Sequence, residues 1–262
     1  NNIEEGARLA HFSGCFGCHT KKEDFEFSGG YPLKTKYGIF FTPNITSHKK
    51  FGMGKWSERD FIKALKEGKN INNTPYYPSF PYHWYKNMKT EDIKKIYYFL
   101  LSTNPINKKN LEHELKFPYK IRKFLGIWNL LNKILSKPAE DNGDKIYDEK
   151  FIKGKYLVTA AGHCGACHSP RTWFSIVKNY HDLSGRKETR KDLKDGTPNI
   201  SPSKSEGIGN WSQSDIVFYL ETGIKPDGDF ATEIMQSIID DATSHLKTED
   251  LEAIANYLLN NK

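Results

Sequence analysis

Apolar residues recur at helical spacing in several separate stretches of the chain. The stretch that begins after Ser57 places Phe61, Ala64 and Leu65 on one face, and Gly68 follows it as a natural helix stop. Glycine, proline and asparagine concentrate between such stretches. No stretch alternates apolar and polar residues over a useful length, so the pattern predicts an all-α fold with long loops.

The pattern occurs twice. Three segments recur at one offset of 155 residues: Thr42–Thr46 as Thr197–Ser201, Gly52–Ser57 as Gly207–Ser212, and Asp60–Gly68 as Asp215–Gly223. Each copy has a serine N-cap candidate with an aspartate three residues later, a capping box with Asp in place of Glu. A repeat of this extent predicts a duplicated domain.

Each copy begins and ends with a predicted helix. The first helices are expected over Ile3–Cys15 and Phe151–Cys164, each carrying a cysteine at its C-terminal end. The last helices are expected to begin at Thr90 and Thr248, which act as N-caps.

A bridge of residues 104–149 separates the two predicted domains, which span residues 1–103 and 150–262. Within the bridge, Phe117–Leu131 combines apolar residues at helical spacing with a basic background. We favour an interdomain helix that packs its apolar face against both domains. A helix lying on a membrane surface, and thus peripheral membrane association, would show the same pattern.

Composition narrows the functional classes. A hydrophobic fraction of 37% and a mean hydropathy of −0.69 are low for 262 residues, which fits small domains built around a large apolar cofactor. The net charge of +7 fits solvated surface lysines and would suit an acidic protein partner or an anionic membrane surface. No apolar run is long enough for a transmembrane helix, and we expect no nucleic-acid partner.

All four cysteines lie in two copies of the motif C-x-x-C-H, Cys15–His19 and Cys164–His168. This motif is the attachment signature of c-type haem, in which two thiols bind the porphyrin and the histidine binds iron. A zinc ribbon would bring its cysteine pairs within about 15–20 residues of each other. A redox dithiol or two structural disulfides would not explain the duplicated histidine. The motifs predict two covalently bound haem c groups, with His19 and His168 as axial ligands.

Covalent haem attachment normally takes place on the outer side of the bacterial inner membrane. No signal peptide is visible at the start of the chain. We therefore expect a periplasmic protein that is exported with a signal peptide absent from this sequence.

Nearly end to end, the chain resembles the diheme cytochrome c family and the cytochrome c subunits of membrane-bound alcohol and aldehyde dehydrogenases. The resemblance is carried by the two haem motifs, the segment Gly162–Arg171, the N-I-T/S and G-x-G-x-W-S repeats and the Phe117–Leu131 bridge. It implies two tandem class I cytochrome c domains joined by a long linker. Those subunits usually carry three haems and a membrane anchor, whereas this chain shows two haem motifs and no anchor.

The resemblance also implies the sixth iron ligands. It places the methionine of the second haem at Met235, and a thioether ligand raises the reduction potential. In the first copy, the family segment Tyr-Pro-x-Met-Pro-Tyr reads Tyr77–Tyr82, with Phe80 in the methionine position. Phenylalanine cannot bind iron. The alternatives left open for the first haem are no protein ligand, Met53, His83 or Met88.

Two functional hypotheses follow. The first is electron transfer, in which single electrons pass from a periplasmic dehydrogenase to an oxidase or another cytochrome. The second is a haem enzyme whose open first haem supports peroxidase-like chemistry or sulfur-compound oxidation, although no acid–base pair surrounds Phe80. Whether the chain is itself an enzyme is left open. The candidate haem contacts, for which loop and core packing are the alternative role, are Trp56, Trp211, Asn44 and Asn199.

Overall fold

The computed structural model describes residues 2–136, 148–186 and 196–261. The helices are α1 (Asn2–Phe12), α2 (Cys15–His19), α3 (Glu58–Glu67), α4 (Tyr82–Tyr85), α5 (Thr90–Ser102), α6 (Phe124–Leu135), α7 (Glu149–Tyr156), α8 (Gly165–His168), α9 (Gln213–Thr222), α10 (Glu233–Asp241) and α11 (Thr248–Asn260). A π-helical turn covers Leu157–Ala161, and a 3-10 turn covers Thr243–His245. This content confirms a mostly helical fold.

A small antiparallel sheet shows that the purely helical prediction is wrong. Strands β1 (Pro32–Thr35) and β2 (Gly38–Phe41) form a hairpin, and β3 (Glu114–Leu115) pairs with the other edge of β2. Gly38 has a φ of 125°, and a Cβ there would lie 2.2 Å from the Glu114 carbonyl oxygen. Strands of two to four residues are too short for an alternating pattern to stand out in the sequence.

The duplicated helices α3 and α9 begin and end as predicted. The Ser57 hydroxyl accepts a hydrogen bond from the Asp60 backbone N–H at 3.2 Å, and the Asp60 carboxylate accepts from the Ser57 N–H at 3.0 Å. The equivalent serine and aspartate form the same capping box on α9. Gly68 and Gly223 end the two helices in the left-handed conformation, with φ values of 66° and 79°.

Other predicted helix boundaries are wrong. Helix α1 ends at Phe12, because the chain turns through Gly14 at a φ of 74° before the separate helix α2 begins. In the second copy, α7 passes into the π-helical turn before the haem motif. The N-caps of α5 and α11 are Lys89 and Lys247, one residue before the predicted threonines. These shifts leave each haem motif as a short element of its own.

The first and last helices of each copy pack directly on each other, α1 on α5 and α7 on α11. A glycine permits close approach at both crossings. A Cβ at Gly6 would lie 2.2 Å from the Lys95 carbonyl oxygen, and one at Gly154 would lie 1.9 Å from that of Ala253. The buried apolar side chains around the two crossings form one continuous core that includes residues of both copies.

Gly154→Ala tests the tight crossing of α7 and α11. We expect the free energy of unfolding to fall by about 3 kcal/mol, since the new methyl group forces the helices apart. Gly126→Ala in α6 is the matched control, because no atom lies within 4 Å of that added Cβ. There we expect a gain of up to about 1 kcal/mol from helix propensity. Urea unfolding followed by far-ultraviolet circular dichroism measures the free energy of unfolding of both variants. Equal changes in the two variants would contradict a close contact between α7 and α11 at Gly154.

The bridge differs most from the sequence interpretation. Helix α6 does form within it, but its buried residues are Leu125 and Asn132, and most of its apolar side chains face outward. The expectation that α6 packs its apolar face against both copies is therefore wrong. Residues 137–147 of the predicted linker lie outside the described residues. Within the described ranges, no helix combines the length and the apolar character needed to cross a membrane.

Candidate haem sites

Each C-x-x-C-H motif folds into a short helical turn. Cys15 begins α2, and Cys164 is the N-cap of α8, so both cysteines of a pair lie within about one turn of the histidine. None of the four cysteines forms a disulfide. Among the described residues, no group of three or more His, Cys, Asp or Glu side chains is arranged to hold a metal ion. The disulfide and zinc hypotheses thus find no support in the described part of the chain.

The pKa values of Cys15 and Cys164 do not favour a redox dithiol. Burial raises the pKa of Cys15 and of Cys164 to about 12, and the neighbouring cysteine of each pair adds to the shift. Redox-active cysteines in C-x-x-C motifs have a lowered pKa, because the thiolate is the reacting species. Half-buried thiols with a raised pKa beside a histidine fit covalent attachment of a cofactor better.

The two motif histidines are anchored in the same way. His19 Nδ1 lies 2.7 Å from the Pro43 carbonyl oxygen, and His168 Nδ1 lies 2.9 Å from that of Pro198. Burial lowers the pKa of both imidazoles, although the carbonyl bonds oppose the shift. A neutral ring that donates from Nδ1 keeps Nε2 unprotonated as a metal ligand, which is the usual arrangement of ligating histidine.

The loops that supply these carbonyls are built alike in both copies. The Gly29 N–H donates to the His19 carbonyl at 2.7 Å, and the Gly185 N–H donates to the His168 carbonyl at 2.8 Å. Both glycines have left-handed φ values, 70° and 79°. A Cβ at Gly29 would lie 2.4 Å from the Pro43 carbonyl carbon, so this contact requires glycine. The shared geometry extends the repeat to a segment where the sequences hardly match.

The segments expected to supply the sixth ligands differ between the copies. Met235 lies in the first turn of α10, where the Thr232 hydroxyl accepts a hydrogen bond from its N–H, and its side chain packs on the shared core. Phe80 lies in an aromatic cluster, with ring centroids 5.4 Å from Tyr76 and 5.6 Å from Tyr85. The structure thus keeps an apolar ring where the second copy has a thioether.

The remaining candidates for the first haem have different surroundings. Met53 and Met88 are 3% and 1% exposed, and both belong to the core that also contacts Cys15. His83 instead lies on the α6 side, with Nδ1 3.3 Å from Asn132 Nδ2 and its ring 5.4 Å from that of Trp128. Burial, followed by the positive charges of Lys86 and Arg171, lowers the pKa of His83 to about 4.

The candidate haem contacts take part in loop and core structure. Asn44 is buried, its Nδ2 donates to the Ile106 carbonyl at 2.8 Å, and its Oδ1 accepts from the Thr46 N–H at 3.0 Å. Asn199 Oδ1 accepts in the same way from the Ser201 N–H at 2.8 Å. Trp56 and Trp211 are half-buried against the shared core. Haem contact remains a prediction for all four.

The sixth-ligand region of each copy packs against the haem motif of the other copy. Trp84, just after the Phe80 segment, contacts Gly165 inside the second motif so closely that an added Cβ would lie 2.3 Å from the indole ring. Asp241, at the end of α10, lies against Gly17 of the first motif, 3.0 Å from an added Cβ. These crossed contacts bring the two haem motifs together at the boundary between the copies.

A polar cluster joins the segments just before the two motifs. The Tyr85 hydroxyl donates to the Ser13 carbonyl and lies 3.1 Å from His163 Nε2. Ser13 lies two residues before Cys15, and His163 directly precedes Cys164. His163 stands next to the second motif in the sequence, but its partner Tyr85 comes from α4 of the other copy and could not be identified from sequence.

Two arginines lie near the second motif, and the sequence did not indicate a role for either. The Nε atoms of Arg171 and Arg186 are buried without a hydrogen-bond partner. Burial, followed by the charge of Arg186, lowers the pKa of Arg171 to about 10. Neither forms an ion pair with any carboxylate among the described residues. Two adjacent cations with open donors suit anionic groups, and haem carries two propionates. One feature of the sequence could have indicated this anionic site. Arg171 lies three residues after His168, and the first copy has another cation, Lys22, three residues after His19.

Together these observations fit two covalently attached haems, held by the four thiols and by the two carbonyl-anchored imidazoles. Proteins with similar sequences support this interpretation. The chain is 36% identical to a diheme cytochrome c-type of Cereibacter sphaeroides, over 97% of this chain and 83% of that protein. It is 33% identical to the fructose dehydrogenase cytochrome subunit of Gluconobacter japonicus, over 98% of this chain and 52% of that protein. No protein-family model matches the chain.

A third relative is the cytochrome c subunit of the quinone alcohol dehydrogenase of Gluconobacter oxydans. It is 31% identical over 98% of this chain and 54% of that protein. The chain therefore spans about half the length of the dehydrogenase subunits that it matches.

Proposed function

Because this chain belongs to the diheme c-type cytochromes, as its similarity to the Cereibacter protein shows, we propose that it transfers single electrons from a dehydrogenase towards an oxidase or another cytochrome in the periplasm. The observation that carries the proposal is the pair of motif histidines with Nδ1 bonded to a proline carbonyl. The names of the other relatives support a dehydrogenase as the donor, since those proteins are cytochrome subunits of dehydrogenases.

The roles of the site residues follow from their positions. Cys15, Cys18, Cys164 and Cys167 would attach the two haems, which supply reversible one-electron chemistry at iron when bound. His19 and His168 would bind iron through Nε2. Met235 would complete the second site, and the Arg171 and Arg186 guanidinium groups would neutralise its propionates. Trp56, Trp211, Asn44 and Asn199 would contact the haems from the repeated loops.

We also propose that the chain comprises two tandem cytochrome c domains, residues 1–103 and 150–262, with residues 104–149 as the linker. Supporting this division, each copy packs its own first helix on its own last helix, α1 on α5 and α7 on α11. Both copies repeat the glycine and carbonyl contacts around the motif histidine. The continuous core between them keeps the two sites in a fixed relation, which electron exchange between haems requires.

The test is a reductive titration of the haem-loaded protein under anaerobic conditions, followed by visible spectroscopy. We expect the chain to take up one electron for each motif and to release both to a small oxidant such as ferricyanide. Carbon monoxide is then added to the reduced protein. An electron-transfer role predicts no spectral change at the Met235 site. Rapid consumption of hydrogen peroxide or a sulfur compound by the reduced protein would instead favour the haem-enzyme hypothesis and contradict the proposal.

A further inference from the structure

Helix α6 has its apolar face turned away from the protein. Phe124, Ile127, Leu130 and Ile134 are 48%, 58%, 58% and 67% exposed, and they fall on one side of the helix at spacings of three and four residues. A surface helix of a globular protein normally turns this face to the core. The ridge formed by these four residues is called the α6 ridge below.

Polar contacts hold the opposite side of the helix against the protein. The Tyr82 hydroxyl donates to Asn129 Oδ1 at 2.8 Å, and Asn132 Nδ2 lies 3.3 Å from His83 Nδ1. The Ser136 hydroxyl donates to the Val177 carbonyl at 2.8 Å. Rotating α6 to bury its ridge would break all three contacts and place amide groups in solvent. The outward orientation of the ridge is therefore fixed by specific hydrogen bonds.

The ridge continues into a neighbouring apolar loop. Trp128 Nε1 on α6 donates to the Phe174 carbonyl at 3.0 Å, which attaches the Trp173–Phe174 loop beside the helix. Trp173 is 86% exposed and Phe174 is 50% exposed. Phe117, on the segment that leads into α6, is 83% exposed. Large exposed apolar side chains grouped on one helix and on the loop attached to it mark an interaction surface rather than ordinary surface variation.

The segment that carries the α6 ridge has basic residues and no acidic ones. Residues 116–136 contain no aspartate or glutamate, and they carry the basic residues Lys116, Lys120, Arg122, Lys123 and Lys133. Lys36 adds a further cation beside the loop, with Nζ 3.0 Å from the Trp173 carbonyl. The surface thus offers an apolar ridge within a cationic rim, and its partner must be apolar and anionic together.

We propose that the α6 ridge and the Trp173–Phe174 loop bind the interface of an anionic lipid bilayer. An interfacial helix of this kind buries its apolar face about 5–10 Å into the boundary between headgroups and acyl chains, while its lysines contact anionic headgroups. The lysines around the ridge favour lipid over protein, because lysine is depleted in protein interfaces and lysine-rich segments bind anionic headgroups. The proposal rests on exposed apolar side chains and charge, so it does not depend on electron transfer.

Flotation of the haem-loaded protein with lipid vesicles tests the proposal. Vesicles of phosphatidylcholine alone are compared with vesicles that also contain phosphatidylglycerol, at low and at high salt. We expect binding to the anionic vesicles only, and loss of that binding at high salt, since screening weakens the lysine contacts. Ile127→Glu combined with Leu130→Glu should weaken binding at least about tenfold. Ile152→Glu on α7 is the matched control, because Ile152 is 56% exposed but lies outside this surface.

Several outcomes would overturn the proposal. Absence of binding to anionic vesicles, or an equal loss in Ile152→Glu, would contradict a lipid site on α6. Reversible dimerisation that the double variant abolishes, without vesicle binding, would assign the ridge to a second copy of the chain. Capture by an acidic protein in the absence of lipid would assign it to a protein partner. Visible spectra of each variant check that both haems remain attached and that the fold is retained.

Discussion

Replacing Cys164 and Cys167 together by serine is expected to leave a chain with one covalent haem instead of two. Serine keeps the size of the side chain but cannot form the thioether links that hold the porphyrin. Both thiols are part of the short turn at α8, with Cys164 as its N-cap, so the change adds no bulk there. Denaturing mass spectrometry should find one haem less, and the haemochrome absorbance per chain should fall by about half.

Cys15→Ser combined with Cys18→Ser is the matched control in the other copy. It should also remove one haem, but a different one, and the two single-haem proteins should have different spectra. The protein that retains the second motif should keep the methionine–iron absorption of the oxidised state that Met235 supplies, and its counterpart should show this absorption only if Met53 or Met88 binds the first haem. Loss of both haems in either variant would show that attachment at the two motifs is coupled. An unchanged haem content would contradict attachment through these cysteines.

The motifs, the repeat and the capping boxes could be predicted from sequence because each depends on residues close together in the chain. Ser57 and Asp60 are three residues apart, and the bond between them is local. The hydrogen bonds that anchor the histidines could be predicted only in part. Pro43 belongs to the repeated segment, but its carbonyl reaches His19 at 2.7 Å only because the chain folds back over 24 positions. Exact helix ends were also missed, because the left-handed Gly14 breaks a pattern that reads as continuous helix.

Contacts between the copies lay beyond sequence analysis. Two such contacts join residues about 80 positions apart: Trp84 with Gly165, and Tyr85 with His163. The identity of one residue does not indicate which distant residue it contacts. The orientation of α6 is a similar case. Its apolar spacing correctly predicts a helix, yet contacts of Asn129 with the Tyr82 hydroxyl and of Asn132 with His83 hold the opposite face against the protein. Periodicity indicates which residues share a face and leaves open what that face contacts.

Replacing Met235 by leucine is expected to change the second haem without removing it. Leucine nearly conserves the volume of methionine but cannot bind iron. The oxidised protein should lose its methionine–iron absorption band, and the reduced protein should gain carbon monoxide binding. The reduction potential of this haem should fall by roughly a few tenths of a volt, within the range of about 0.8 V that axial ligands span. Persistence of the band when Met235→Leu is combined with Cys15→Ser and Cys18→Ser, so that only the second haem is left, would contradict the assignment.

Met53→Leu and Met88→Leu complete the comparison, because the chain contains only three methionines. Both side chains are almost fully buried, so a conservative replacement is needed to keep the core intact. Both variants should leave the Met235 band in place. A lowered potential of the other haem in one of them would identify that methionine as its sixth ligand, and unchanged potentials in both would leave His83 or no protein ligand.

These potentials decide how electrons distribute between the copies. If neither Met53 nor Met88 binds the first haem, the second haem, with Met235, should have the higher potential and hold the first electron added in a titration. For a one-electron couple, 59 mV changes an equilibrium constant tenfold. A fall of a few tenths of a volt in Met235→Leu is therefore large enough to reverse the preference, so that the first electron added resides on the first haem. The asymmetry between Phe80 and Met235 would then direct electron flow across the boundary between the copies.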